Sequence, residues 1–249
     1  MTQRLALAAL MALSLQAPLP VLAAGDSGIR TQTVQFAKGA STAQLNGSVR
    51  GDATVDYRIS ARAGQMLTVA MKASNASNYF NVLPPGSNGE AMFIGSSSGS
   101  EAKLLLPGDG TYVVRVYLMR NAARRNETGR YTLTVGVTGQ ALAPLPAAQD
   151  ARIAGTPFHA SSSVTCQPPG NEPGSACQAF VIRRGHDGTA TVEVRGANGL
   201  VRRVLFVKGS PLASDSAQAL TSTRQGDLTT VGVGTDERYE IPDALVSGG

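Results

Sequence analysis

The sequence predicts an all-β protein in which an antiparallel β-sandwich is followed by a second, smaller β domain held by a disulfide. Apolar and polar residues alternate with a period of two in many short stretches, and no segment keeps an apolar period of 3.6. Turn sequences such as RAGQ, PPGSNG and PGDG separate these stretches, in a chain with 28 Gly, 13 Pro and no Trp. Such a composition favours short strands joined by turns.

The first domain is predicted over residues 31–138. In one of its strands Leu67, Val69 and Met71 share a face, as expected where one side of a sheet is buried. Two antiparallel sheets that each bury one face are the packing that such strands favour. The candidate strands are Thr31–Ala37, Ala43–Arg50, Thr54–Ala61, Met66–Ala73, Tyr79–Leu83, Ala91–Ile94, Ala102–Leu106, Thr111–Met119 and Gly129–Val137.

A Pro/Ala-rich connector, residues 139–150, is predicted to join this domain to a second one over residues 151–249. The charge balance changes there: residues 24–149 carry 12 Lys and Arg against 7 Asp and Glu, whereas residues 150–249 carry 9 against 10. The second domain begins as a meander that turns at GHDG and GANG. Its candidate strands are Gln178–Arg184, Thr189–Arg195, Leu200–Lys208, Ala219–Arg224, Leu228–Val233 and Arg238–Ile241.

The first 23 residues predict a secretory signal peptide. Arg4 precedes an apolar run from Leu5 to Leu15, and small residues follow near Ala23. A membrane anchor would need about 20 continuous apolar residues, and Gln16 and two prolines interrupt this run. We therefore expect an exported protein that is not inserted in the membrane.

Both cysteines, Cys166 and Cys177, lie in the stretch TCQPPGNEPGSAC. In an oxidising compartment they are expected to pair as a structural disulfide. A metal site is the weaker interpretation, because two thiols without a nearby histidine do not fill a tetrahedral shell.

The sequence offers little for catalysis, a cofactor or nucleic acid. His159 and His186 are the two histidines of the chain, and turn chemistry accounts for the His186-Asp187-Gly stretch without any activity. The acidic residues of the first domain form no recognisable acid–base pair, and no phosphate, calcium or zinc motif is present. The basic excess is modest and has few aromatic residues interleaved, so it does not indicate nucleic-acid binding. We expect a protein that is not an enzyme and takes no cofactor.

An arginine-rich loop joins the last two strands of the first domain, where a two-residue turn would suffice. Arg120, Arg124, Arg125 and Arg130 stand against a single Glu127. The four-residue spacing of Arg120 and Arg124 would place both on one side of a helical turn. A solvated loop kept polar for solubility and a binding site rich in guanidinium donors both fit this composition.

Three stretches resemble the periplasmic inhibitors of g-type lysozyme, which are small secreted β-sandwich proteins of Gram-negative bacteria. They are VQFAKGASTAQLNGSVRGDATVDYRISARAGQMLTV, YFNVLPPGS and LPGDGTYVVRVYLMRNAARRNETGRYTLTVGV, within residues 34–137. The most specific part is a Gly-x-Tyr-x-x-Arg-Val-x-x-x-Arg-Asn-x-Ala-Arg run. In this sequence its residues are Gly110, Tyr112, Arg115, Val116, Arg120, Asn121, Ala123 and Arg124.

The resemblance implies a periplasmic location and a lysozyme as protein partner, with the loop blocking the substrate cleft. Carried over by position, Arg120, Asn121 and Arg124 are the expected cleft contacts, while Gly110 and Tyr112 shape the neighbouring turn. Arg115, on the strand before the loop, and Asp109 complete the predicted partner-binding set. Asp109 stands where related inhibitors often have Ser; its carboxylate would either repel a catalytic glutamate or pair with a local arginine.

A looser resemblance, in the RAGQ turn and the GTYVVRVY strand, is to the pre-peptidase C-terminal β-sandwich. It implies the same fold but a different role, that of a non-catalytic glycan- or protein-binding accessory module. The end of the chain, GDLTTVGVGTDERYEIPDALVSGG, resembles a small domain of other exported proteobacterial proteins and carries over no activity.

Overall fold

The computed structural model describes residues 28–170 and 174–248, and the predicted signal peptide, residues 1–23, lies outside the described residues. The N-terminal part is a sandwich of two sheets, with strand orders β1-β3-β8-β5-β6 and β2-β9-β4-β7. Its strands are β1 (Ile29–Thr33), β2 (Thr42–Arg50), β3 (Thr54–Ala61), β4 (Met66–Ala73), β5 (Asn78–Leu83), β6 (Phe93–Ile94), β7 (Glu101–Leu105), β8 (Gly110–Leu118) and β9 (Thr128–Thr138). Two one-turn helices, α1 (Gly95–Ser98) and α2 (Arg120–Arg124), interrupt them.

The sandwich forms because its strands alternate as the sequence predicts. Leu67, Val69 and Met71 on β4 and Leu133 and Val135 on β9 are buried between the sheets. They pack against the inward face of β8 and its neighbours in one continuous core. Burial of this apolar face is the main stabilising contribution to such a fold.

The first strand differs from the prediction in position and direction. β1 covers Ile29–Thr33 rather than Thr31–Ala37, and it pairs with β3 in parallel, whereas the other strand pairs of the sandwich are antiparallel. The chain then crosses to the other sheet to form β2 before it returns as β3. A parallel pair needs such a crossover connection, and alternation along one segment does not reveal it.

The C-terminal part is built on one eight-stranded antiparallel sheet in the order β14-β13-β12-β11-β10-β17-β16-β15. The edge strands β14 and β15 lie next to each other, so the sheet curls around its own apolar core. Its elements are β10 (Ala160–Gln167), β11 (Ser175–Arg183), β12 (Ala190–Arg195), β13 (Val201–Val207), β14 (Ser210–Ser214), β15 (Leu220–Gln225), β16 (Leu228–Val233), β17 (Glu237–Pro242) and the one-turn helix α3 (Asp243–Ser247). The predicted all-β class with a second, smaller β domain is confirmed.

The predicted disulfide is present. Cys166 and Cys177 are bonded, are buried in the C-terminal core and join the neighbouring strands β10 and β11. The bond ties together the hairpin of β10 and β11, whose ladder ends at the Cys166–Ser175 pair. It therefore closes this hairpin at the end of its ladder.

The predicted connector contains no helix or strand. Leu142 donates its amide to the carbonyl of Ala63 in the sandwich, and Leu145 donates its amide to the carbonyl of Arg183 in the C-terminal sheet. The connector thus contacts both parts of the protein. The exact boundaries of the two domains stay a prediction.

Candidate functional site

The arginine-rich segment folds as α2, a one-turn helix that covers one end of the sandwich. Its inward residues, Ala122 and Ala123, are buried in the same core as the strands. Alanine is the strongest helix former and is small enough to lie flat on this core. The amide of Ala123 donates to the carbonyl of Met119 at 2.9 Å, and Asn126, in the left-handed conformation (φ 56°), turns the chain back into β9.

Arg120, Asn121 and Arg124 lie on the outer side of α2 and are exposed. Within the described chain, neither Arg120 nor Arg124 makes a hydrogen bond or an ion pair through its side chain. The Asn121 side chain accepts a hydrogen bond from the Ala122 amide at 2.8 Å. The helical turn predicted from the arginine spacing is present, and its two guanidinium groups keep all their donors free.

The neighbouring arginines are already paired. Arg115 makes a bidentate ion pair with Asp56 on the adjacent strand, with both N–O distances at 2.7 Å. Hydrogen bonding by Asp56 raises the pKa of the Arg115 guanidinium above its ordinary value. Arg125 pairs with Glu127 at 2.6 Å. Arg115 and Arg125 therefore have fewer donors left for a partner than Arg120 and Arg124.

Glu127 fastens the end of the α2 segment to the sandwich. Its carboxylate accepts hydrogen bonds from the Asn75 amide group at 2.8 Å and from Arg125 at 2.7 Å. These two contacts, that of Asn75 first, lower the pKa of the Glu127 carboxyl below its ordinary value. The acidic residue of the loop thus has a structural role and leaves the other arginines unmatched.

Arg50 and Arg130 add to the positive charge at this end. The register of β2 and β9 places Arg50 opposite Thr128, next to the α2 segment. Both arginines are exposed, and their side chains have no hydrogen bond or ion pair among the residues that the structure describes. Arg50 was not among the predicted site residues, because only the β2–β9 pairing brings it here. We call the exposed set Arg50, Arg120, Asn121, Arg124 and Arg130 the α2 surface.

An open groove of about 660 Å³ runs beside the α2 surface. Arg120 and Ala123 line one side of it, and the turn from Gly51 to Thr54 lines another. Arg115 and Tyr117 of β8 form part of its floor. Among the predicted site residues, Arg115 and Arg120 therefore share one concave surface.

Asp109, Gly110 and Tyr112 lie at the opposite end of the sandwich. Asp109 immediately precedes β8, and Gly110 and Tyr112 lie at its start, whereas α2 follows its end; the nine residues of β8 span about 26 Å. The structure therefore divides the predicted partner-binding set into two groups. A contiguous sequence pattern did not distinguish them, because a strand carries its two ends to opposite sides of a domain.

Tyr112 and Gly110 are used inside the fold. Tyr112 is fully buried, and its hydroxyl donates to the carbonyl of Gly108 at 2.7 Å. Burial raises the pKa of the Tyr112 hydroxyl well above its ordinary range. Gly110 has φ 149°, and a Cβ there would lie 2.7 Å from the Pro85 ring. Both residues shape the turn before β8.

Asp109 pairs with an arginine of the C-terminal domain. One carboxylate oxygen accepts the Ala63 amide at 2.9 Å, and the other accepts two donors of Arg184 at 3.2 Å. Of the two roles predicted for this carboxylate, the structure contains the arginine pair.

The histidines have structural surroundings. His159 is buried, with one ring nitrogen 3.1 Å from the Leu145 carbonyl and the other accepting the Arg183 amide at 3.0 Å. His186 is exposed in a turn where Asp187 accepts the Thr189 amide at 3.1 Å. Within residues 28–170 and 174–248, no group of three His, Cys, Asp or Glu side chains is placed to hold a metal ion. The same residues contain no helix with the length and apolar composition that crossing a bilayer requires.

The inhibitor of g-type lysozyme from Escherichia coli (strain K12) is 31% identical to the chain over 106 residues, which are 42% of this chain and 78% of that protein. The chain belongs to this inhibitor family. Its sequence resembles the family over a stretch of similar length, from Val34 to Val137. Since the match takes up most of the relative, a C-terminal domain of the size seen here has no counterpart in it.

Solved structures of the inhibitor family are also similar to the chain. The Aeromonas hydrophila PliG, a periplasmic inhibitor of g-type lysozyme, is 39% identical with a TM-score of 0.42, covering 44% of this chain and 97% of that one. A mutant PliG from Escherichia coli is 28% identical with a TM-score of 0.36, covering 45% and 100%. No family model matches the chain.

Proposed function

We propose that this protein is an exported, periplasmic inhibitor of a g-type lysozyme and that it contacts the enzyme through the α2 surface. The single observation that carries the mechanism is the pair of exposed, unmatched guanidinium groups of Arg120 and Arg124 on a helix seated in the core. The function of the relatives supports the choice of partner.

The chemistry of the partner suits these donors. Glycoside hydrolases work through carboxyl groups that flank the scissile bond, so their clefts are acidic. A guanidinium group is planar and forms charge-assisted, bidentate hydrogen bonds with carboxylates. Arg120 and Arg124, presented side by side, would fill such a cleft and satisfy its carboxylates, with Asn121 adding an amide contact.

The packing of α2 against the sandwich core lowers the conformational entropy lost on binding. Ala122 and Ala123 are buried, and Glu127 ties the segment to Asn75, so the backbone is ordered before a partner arrives. Association then loses less conformational freedom than it would with a disordered loop. Inhibition of this kind requires occupation of the cleft and no catalysis by the inhibitor.

A turbidity assay with a g-type lysozyme and suspended cell walls tests the proposal. The wild-type protein is expected to inhibit, and the double substitution Arg120→Ala/Arg124→Ala is expected to raise the inhibition constant about 10- to 100-fold, which corresponds to about 1.4–3 kcal/mol. The substitution Arg120→Lys/Arg124→Lys keeps the charge but removes the planar donors, so an intermediate loss is expected.

The matched control is Arg58→Ala/Arg62→Ala. These arginines are also exposed and four residues apart, and they lie on β3 and just after it, away from α2. The control removes the same charge and should leave inhibition within about twofold of wild type, since distant exposed charges are strongly screened. Equal inhibition by the α2 variant and the wild type would remove α2 from the mechanism. Binding to peptidoglycan without any inhibition would instead favour an accessory binding module.

A further inference from the structure

The C-terminal domain contacts the end of the sandwich opposite to α2. Arg184 of the C-terminal domain has a fully buried side chain that donates to Asp109, to the Leu142 carbonyl at 2.5 Å and to the Thr191 hydroxyl at 2.9 Å. The Thr191 hydroxyl in turn donates to the Pro107 carbonyl at 2.7 Å. Each of the three guanidinium nitrogens of Arg184 donates at least one hydrogen bond, which offsets the cost of burying its charge.

A second buried arginine makes a parallel set of contacts. The Arg202 side chain is 1% exposed and lies 2.5 Å from Glu90 of the sandwich. Within its own domain it also binds Glu237 at 2.7 Å and Asp215 at 3.2 Å. Beside it, Arg203 donates to the Pro85 carbonyl at 3.0 Å.

These contacts cover the backbone at this end of the sandwich. Pro107 and Gly108 are buried, and a Cβ at Gly108 would lie 3.1 Å from the Arg203 side chain. Asp109 remains partly exposed but gives one carboxylate oxygen to the sandwich and the other to Arg184. A partner that approached residues 107–110 would have to displace a buried guanidinium that donates hydrogen bonds from all three of its nitrogens.

We propose that the C-terminal domain permanently closes the 107–110 end of the sandwich, so that Asp109 acts in an interface within the chain and a protein partner is confined to the α2 end. The proposal explains why a carboxylate occupies position 109: it neutralises Arg184. Closure of the 107–110 end does not depend on the proposed function. Only the confinement of a partner to the α2 end rests on that function.

Calorimetry of the full chain tests the closure without any lysozyme. Asp109→Ser removes the carboxylate that pairs with Arg184, and Glu90→Gln removes the carboxylate that pairs with Arg202. Both positions are partly exposed on the sandwich, so neither change disturbs a hydrophobic core. Each is expected to lower the unfolding midpoint by about 3–6 °C. The combined variant is expected to separate one unfolding transition into two.

The matched control is Glu101→Gln, an exposed glutamate of the same sandwich without a side-chain partner among the described residues. It should shift the midpoint by less than about 1 °C, since surface changes away from such contacts have small effects. Midpoints of the Asp109 and Glu90 variants that match this control would overturn the closure.

Inhibition by the Glu90→Gln variant tests the confinement of the partner. Loosening the interface should leave inhibition of a g-type lysozyme unchanged, because Glu90 does not line the groove beside α2. Inhibition that increases several-fold would show that the C-terminal domain masks an inhibitory end, and would overturn the proposal. If the wild type itself does not inhibit, the proposed function and the confinement fail while the calorimetric result still decides the closure.

Discussion

Arginines that are close in sequence have different surroundings in this protein, and the difference decides which of them can bind. Arg115 and Arg125 are matched by Asp56 and Glu127, whereas Arg120 and Arg124 are exposed and unmatched in the described chain. A guanidinium group that is already paired must exchange one carboxylate for another, which gains little. We therefore assign binding to the unmatched pair.

Glu127 leads to a prediction about pH. Its carboxyl has a pKa below the ordinary 4.5 in the folded protein, because Asn75 and Arg125 bind the charged form. The resulting contribution to stability is present above pH 4.5 and is lost as the pH falls through the lowered pKa. In urea titrations the wild type should be more stable than Glu127→Gln at pH 7, and this difference in unfolding free energy should shrink as the pH falls below 4.5. A gap that is constant with pH would contradict this role.

At the residue scale, the sequence predicted the local helical turn of α2 but not the contacts that side chains make with residues distant in sequence. The helical spacing of Arg120 and Arg124 follows from two positions, and the structure has the turn. The partners of Asp109 and Arg115 could not be derived, because Arg184 and Asp56 are distant in sequence and only the fold brings them close. Arg50 was missed for the same reason.

At the scale of elements, patterning predicted most strands and missed those stabilised by their neighbours. β3, β4 and β16 have the predicted bounds, since their alternation is strong. β10 was missed because the stretch ASSSVTCQ has few apolar residues, and β14 because Pro211 interrupts an edge strand. β10 forms because β11 and the disulfide hold it in register.

The disulfide should contribute measurably to this element. Cys166 and Cys177 are 11 residues apart and join β10 to β11. Closing a loop of this length restricts the unfolded chain and stabilises the fold by about 3 kcal/mol. The Cys166→Ser/Cys177→Ser variant should therefore unfold at a clearly lower urea concentration than the oxidised wild type. A wild type reduced with a thiol should behave like the variant; a midpoint insensitive to both changes would be inconsistent with this contribution.

At the scale of the whole molecule, acidic residues of the N-terminal half form ion pairs with arginines of the C-terminal half. The basic N-terminal half gives Asp109 and Glu90 to the interface, and the C-terminal half gives Arg184 and Arg202. The acids of the sandwich at this end are thus used internally, while the arginines of the α2 surface stay free. Net charges counted along the sequence indicated an asymmetry but not this arrangement.

The most direct test of the account is hydrogen exchange of the full-length protein with and without a g-type lysozyme. Peptides that cover residues 119–126 and the adjoining turn 50–54 are expected to become protected in the complex. Peptides that cover residues 84–90 and 107–110 are expected to be unchanged, because the C-terminal domain already covers them. Protection gained at residues 107–110 with none at residues 119–126 would contradict the α2 surface as the site of inhibition.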